Sequence, residues 1–454
     1  MTVPKPFGQP GNPGGRSHDR EILRLAGPAF LALVAEPLFL LADAAIVGHL
    51  GTAELAGLGI AGAVIQTAVG LCIFLAYGTT ASVARRIGAG DPRGALAQGV
   101  DGIWLALLIG VVTTVVGITL TGPLVGLFGA GPEVTEQAGT YLRWAWLGVT
   151  PLLVVLATTG ILRGLQDTRT PLYAAVGGNL LNVVLNVALV YGLDLGIAGA
   201  AIGTDLAQLA MAVVLVSVVV RAAVREGAPL RPDLPGVGRA AHAGAALVIR
   251  TLTLRASLLV MTYGAAALGA TSMATHQLAS TIWIFLAFAL DAIAIAAQAI
   301  TGRYLGAGDL EATRDVTRRM ITWGVVSGIV TGAGLALTAP LLGRLFTSDP
   351  AVHDMLWPVL LVAAAFQPVA GLVFVLDGVL IGAGDGRYLA WGGVVVLAVF
   401  APVALVVAGA ADEGRVGLIW LWVAFGAAFM GSRAVVLVHR ARGTRWMTTG
   451  ATTR

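Results

Sequence analysis

The sequence predicts an all-α integral membrane protein of twelve transmembrane helices arranged as two parallel six-helix repeats. Three observations predict it. Of the 454 residues, 57% are hydrophobic and only 11% charged, against roughly 25% charged in an ordinary soluble domain. Apolar runs near the roughly 20 residues needed to cross a hydrocarbon core recur a dozen times, and they are continuous rather than alternating, which implies helices and not a barrel. Finally, separate segments of the chain match one another at one constant offset.

Taken in order, residues 1–17 are rich in Pro and Gly and hold no apolar core, so 1–20 reads as a disordered cytoplasmic tail and not a cleavable signal. Apolar runs bounded by Gly, Pro and charge predict helices at 21–48, 54–84, 95–127, 133–162, 171–191 and 197–223, the first lobe being 21–223. A cytoplasmic linker follows at 224–238. The second lobe, 239–440, is predicted to hold helices at 239–267, 272–302, 313–345, 352–381, 387–409 and 416–440, with a cytoplasmic tail at 441–454. Helices this long tilt or project beyond the bilayer.

Basic residues set the orientation. Lys5, Arg16, Arg20 and Arg24, then Arg85, Arg86 and Arg93, then Arg163 and Arg169 fall on alternate connections. Arg221 to Arg239, Arg303 to Arg319, Arg387 and the terminal Arg433 to Arg454 continue the alternation. The positive-inside rule then places both termini in the cytoplasm of a multi-pass protein of the inner (plasma) membrane. Trp104, Trp144, Trp146, Trp420 and Trp422 are expected to form interfacial belts.

The repeat emerges on sliding the chain against itself by 218 residues. Gly88-Ala89-Gly90-Asp91 falls on Gly306-Ala307-Gly308-Asp309, Arg85 on Arg303, and Pro132 on Pro350. Gly164, Asp167 and Arg169 fall on Gly382, Asp385 and Arg387, while Asp194 and Gly199 fall on Asp412 and Gly417. Six helices per repeat is an even number, so both halves enter from the same side and enclose a site between them, the usual architecture of an alternating-access transporter. The two Gly-Ala-Gly-Asp loops read as structural, Gly allowing a tight turn and Asp capping the next helix.

Several function classes are excluded. A net charge of +4 and a pI near 9.6 come from arginines scattered among short loops, with no basic patch interleaved with aromatics, so no nucleic-acid partner is expected. Cys72 is the only cysteine, which excludes an intramolecular disulfide and a Cys-based metal site. No zinc spacing, nucleotide-binding loop or nucleophile elbow is present, so neither an enzyme nor a bound cofactor or metal is expected. The expected partners are small-molecule substrates and the lipid bilayer, with the chain a monomer.

Charge inside an apolar span costs roughly 2.5–3.5 kcal/mol on insertion scales, so each intramembrane acid is a functional candidate. Glu36 and Asp43, seven residues apart, share a face of the first helix, with Pro37 between them. Under the 218 offset they fall on Leu254 and Met261, so the second repeat lacks both acids and cation coupling is expected in the first lobe. A carboxylate facing a poorly hydrated cavity is penalised when charged and can load and release a proton. The fifth helix carries Asn179, Asn182 and Asn186, and the sixth begins with Thr204 and Asp205. These neutral oxygens beside a carboxylate suit a proton relay or a Na⁺ site, and equally suit interhelical hydrogen bonding. In the second lobe the polar intrusions are Arg250, Arg255, His276, Gln277, Asp291 and Asp377, with Arg250 or Arg255 expected to pair with Asp291. Asp291, Asp377, Phe39 and Gln66 are the substrate-cavity candidates.

These strings resemble a known family. LADAAIVGHLGTAELAGLGIAG at 41–62, ARRIGAGD at 84–91 and ILRGLQDTRTPL at 161–172 are similar to first-half signatures of multidrug and toxic compound extrusion (MATE) transporters. ATHQLASTIWIFLAFALDAIAIAAQAITGRYLGAGD at 274–309 and LDGVLIGAGD at 376–385 look like second-half signatures of its DinF-like branch. The resemblance covers nearly everything after residue 20 and implies two lobes in a V, exporting cationic or amphipathic compounds as H⁺ or Na⁺ enters. It implies that Asp43 is the acid protonated as the first lobe rearranges, with Asn182 and Thr204 as polar neighbours. Asn186 departs from the pattern, standing where many relatives have an aspartate, while Asp205 supplies an acid nearby; proton coupling is therefore favoured over Na⁺. The rival readings are a flippase for a lipid-linked saccharide and a major-facilitator carrier.

Overall fold

The computed structural model describes residues 15–346, 349–410 and 414–451. Among them, twelve helices are long and apolar enough to cross a membrane. We number them α1 (Gly15–Gly48), α2 (Thr52–Gly88), α3 (Pro92–Gly126), α4 (Pro132–Gly164), α5 (Arg169–Gly192), α6 (Gly196–Arg225), α7 (Leu234–Ala267), α8 (Ala270–Gly306), α9 (Leu310–Phe346), α10 (Pro350–Gly382), α11 (Gly386–Ala410) and α12 (Arg415–Arg442). The run of spans matches the predicted twelve. The expected tail at 1–20 is corrected at its end: residues 1–14 lie outside the described residues, but α1 has already begun at Gly15. The reason is tertiary. Asp19 accepts hydrogen bonds from Arg319 Nε and Nη2 (both 2.6 Å) and from Trp323 Nε1 (2.7 Å), and His18 packs edge-on against Tyr304.

The 218-residue repeat is physical as well as textual. In the first half α4 is the central span, packed on α2, α3 and α6, and in the second half α10 takes the same place among α8, α9 and α12. These two are the most buried spans. Glycine permits the closest crossings: a Cβ on Gly164 would strike the Thr80 carbonyl of α2, and one on its repeat mate Gly382 would strike the Gln298 carbonyl of α8. The loops repeat too. Gly90 and Gly308 take φ of 75° and 77°, and Asp91 and Asp309 accept from the N–H groups of Gly94 and Ala312 to cap α3 and α9.

The halves meet on the side of the molecule that carries the termini. α2 is interrupted at Cys72–Ile73, and its two parts do different things. The part nearer the termini, Phe74–Gly88, packs across the seam on α7, α8 and α10, whereas Thr52–Leu71 packs mainly on α4 of its own half, with smaller contacts to α1 and α3 and to α7 of the other half. The closing contact is pseudo-symmetric: Gly88 rests on the Arg303 carbonyl and Gly306 on the Arg85 carbonyl. Two lobes joined at one face and parted at the other form a V.

Trp104, Trp144 and Trp420 are exposed as belt residues should be. Trp146 and Trp422 are corrected, since both are buried: Trp146 Nε1 donates to Thr121 Oγ1 (3.1 Å), and Trp422 packs edge-on against Trp283 and Phe425 and tilted against His276. Position at a predicted span end does not distinguish the lipid-facing side of a helix from its core side.

Candidate functional site

The first lobe gathers a polar cluster in an otherwise apolar interior. Asp43 lies in the last two turns of α1, half-buried, on the side facing α5. Asn186 of α5 donates its side-chain N–H to Asp43 Oδ1 at 2.8 Å. One turn back on the same face, Asn182 donates to Thr204 Oγ1 of α6 at 2.8 Å, and Asn186 lies 3.4 Å from Asn182 Oδ1. Thr204 in turn donates to the Ala200 carbonyl at 2.9 Å, and Tyr141 of α4 stands beside Thr204. Four helices thus contribute to one chain of polar contacts, which ends on a carboxylate.

Local backbone features put the cluster in place. Gly203 on α6 lacks the Cβ that would overlap the Asn186 amide, so α5 and α6 approach closely there. Asn186 and Asn182 are buried, and Asn186 Oδ1 has no protein partner among the described residues. Immediately after Asn186, α5 widens into a π turn at Ala188–Gly192, a feature frequent at functional sites. That turn carries Tyr191, whose hydroxyl donates to the Ile46 carbonyl at 2.5 Å and ties α5 to α1 three residues beyond Asp43.

Asp205, next to Thr204, turns the other way. Its carboxylate lies on the backbone of Gly148 in α4, where a Cβ would overlap it. It borders the cluster through Tyr141, which stands near both Asp43 and Asp205. Glu36 is not part of the cluster: it is exposed, without a described partner, and two turns, about 10 Å, from Asp43 along α1. Phe39 is half-buried on α1, and Gln66 is exposed on the first part of α2.

The second lobe holds a different arrangement. Asp377 of α10 is 8% exposed and is ion-paired with Arg250 of α7 and, at 3.5 Å, with Arg433 of α12. The expected pairing of Arg250 or Arg255 with Asp291 is therefore corrected. Arg250 faces the core of the lobe, where α10 and α12 meet, while Arg255 is about 140° further round the helix and lies against Gly70 of α2. Asp291 has no ion pair within 4.0 Å among the described residues; it sits at the lobe seam between Arg163 of α4 and Arg250, beside Tyr77 of α2. Arg250 also lies over the Tyr77 ring, 6.0 Å from its centroid. Arg433, counted among the terminal basic residues, lies within the helix predicted over 416–440, about 13 Å before the end of α12 at Arg442.

The MatE family profile matches residues 28–188 and 246–407, one match to each half. The chain belongs to the MATE family. Protein DETOXIFICATION 44, chloroplastic, of Arabidopsis thaliana is 33% identical over 410 residues, covering 85% of this chain and 76% of that one. DNA damage-inducible protein F of Escherichia coli is 29% identical over 382 residues, 81% of each chain. The crystal structure of a MATE transporter in the straight conformation superimposes with a TM-score of 0.85 at 24% identity, over 94% of this chain and 95% of that one. The fold is thus that of MATE transporters, and the major-facilitator alternative falls.

Within this MATE protein the sequence pointed to Asp43, Asn182, Asn186, Thr204 and Asp205, and the structure gathers the first four through hydrogen bonds. It did not point to Tyr141, Tyr191, Gly148 or Gly203. An aromatic or a glycine in an apolar helix carries no local mark of the polar group it touches.

Proposed function

We propose that this MATE transporter exports small amphipathic or cationic compounds by alternating access, driven by entry of protons through Asp43. The observation that carries the reading is the Asn186–Asp43 hydrogen bond, one end of a four-helix polar chain that is confined to one lobe. Loading a proton on Asp43 removes the charge that this amide satisfies, so the packing of α1 against α5 responds to protonation. Asp43 stands near the end of α1 away from the termini, where the lobes are parted. With the termini in the cytoplasm, as the basic loops indicate, that end faces outward, and protonation from outside would favour release of substrate outward. A neutral amide, rather than a second carboxylate, is what faces Asp43, so the site carries a single negative charge that one proton neutralises, which favours a proton over Na⁺. The seat of the protein would be the inner membrane.

The test is substrate-evoked proton movement in proteoliposomes. The parent should exchange, and Asp43→Asn should not; equal exchange by both overturns the reading.

One observation favours a second reading, movement of an anionic lipid-linked saccharide. Among the described residues, Arg163, Arg250 and Arg433 gather around two carboxylates, Asp291 and Asp377. A fluorescent-lipid flipping assay in the same liposomes separates the two readings.

A further inference from the structure

We infer that the buried surface around Arg85 is a binding site for this chain's own C-terminal segment, and that residues 446–450 strap the two lobes together on the face carrying the termini. The inference rests on the alternating-access reading for its consequence, though not for its geometry.

Arg85 lies in the last turn of α2, 1% exposed, at the point where the lobes cross. No carboxylate pairs with it among the described residues. Its Nη atoms donate instead to four oxygens. One is the Ala383 carbonyl at the end of α10 (3.0 Å), and the other three belong to the tail: the Thr448 carbonyl (2.7 Å), Thr448 Oγ1 (3.1 Å) and the Gly450 carbonyl (3.2 Å). Gly450 then donates its N–H to the Leu305 carbonyl of α8 at 3.1 Å. Trp446 and Met447 anchor the segment from within, both buried in the apolar core. The tail is therefore bonded to the first lobe through Arg85 and to the second through Leu305.

The repeat supplies an internal control. The mate of Arg85 is Arg303, and Arg303 is ion-paired with Glu21 at the beginning of α1. Each terminal segment thus crosses the seam to satisfy an arginine of the opposite lobe, the head of the chain with a carboxylate and its tail with carbonyls. The carbonyl solution is the more revealing one. A guanidinium removed from water is costly unless its N–H groups find partners. Without the tail, three of the four acceptors of Arg85 are gone and water takes their place. Separating the lobes on this face breaks the strap's bonds in the full chain but breaks none in a chain without the tail, so loss of the tail favours separated lobes.

The experiment places spin labels at Arg93→Cys and Glu311→Cys, exposed repeat-equivalent positions on that face, in a Cys72→Ala background. Inter-label distances are measured in nanodiscs by electron–electron resonance. The full chain should show mainly the short distance. Deleting 444–454 should raise the ratio of long to short distances about tenfold, as expected for loss of several hydrogen bonds to a buried charge. A synthetic 444–454 peptide should restore the short distance. Arg85→Gln should act like the deletion and add little to it. Trp446→Ser/Met447→Ser in the full chain should act likewise, which covers a truncated chain that fails to fold. Labels that separate with substrate or acid but no further in these variants overturn the strap and spare the transport reading. Labels that never separate overturn both.

Discussion

Asn186 Nδ2 stands 2.8 Å from Asp43 Oδ1, joining α5 to α1 across a gap of 143 residues in sequence. This single contact links the acid that breaks the internal repeat to a buried amide whose own oxygen has no protein partner among the described residues.

Asp43→Asn should abolish the response of export to an inwardly directed proton gradient. In the parent, acidifying the outer bath should accelerate substrate release outward, because outside protons load the site. In the variant, the rate should be the same at either outer pH. Efflux of a fluorescent amphiphile from loaded proteoliposomes, followed at two outer pH values, checks this.

Asn186→Leu should leave the fold intact and slow exchange. A hydrogen bond to a charged group contributes about 1.5–3 kcal/mol, or about 10–160-fold in rate if it is needed at the limiting step. Asn186→Asp should behave differently. Two carboxylates at that spacing cannot both remain charged without a cation between them, so the variant should acquire Na⁺-dependent exchange. Transport with and without a Na⁺ gradient tests the pair.

Gly203→Ala should mimic Asn186→Leu without replacing a polar residue, since the added Cβ overlaps the Asn186 amide oxygen and displaces that side chain. Gly148→Ala, by the same logic, should displace Asp205. If Asp205 takes part in coupling, Gly148→Ala alters the proton-to-substrate ratio; if Asp205 is structural, only thermal stability falls. Parallel flux and melting measurements separate these outcomes.

Asp377→Ala should destabilise the second lobe by about 3–5 kcal/mol, because it removes the ion-pair partner that two buried arginines share. Arg433→Ala should cost less, since Arg250 still pairs with Asp377. Unfolding of the purified variants in detergent gives the order directly.

The spans and the repeat were legible because they are local properties. Hydropathy over some 20 residues decides whether a helix can lie in lipid, and a 218-residue offset is read by comparing letters. Asp43 was legible for the same reason: an acid in an apolar run, absent at the equivalent position of the other half, marks itself. The Gly-Ala-Gly-Asp loops were legible as turns, though the pairing of Gly88 with Arg303 and of Gly306 with Arg85 across the seam was not.

What only the tertiary structure decided is which polar groups meet. Arg250 and Arg255 stand five residues apart on one helix, yet the first pairs with Asp377, 127 residues away, and the second lies against the other lobe. Helix rotation and crossing angle govern that choice, and both are set by packing over the whole molecule rather than by the residues nearby. The same holds for the chain ends. Composition gives a tail after residue 440, but only the buried, carboxylate-free guanidinium of Arg85 shows why part of that tail is folded against the lobe seam.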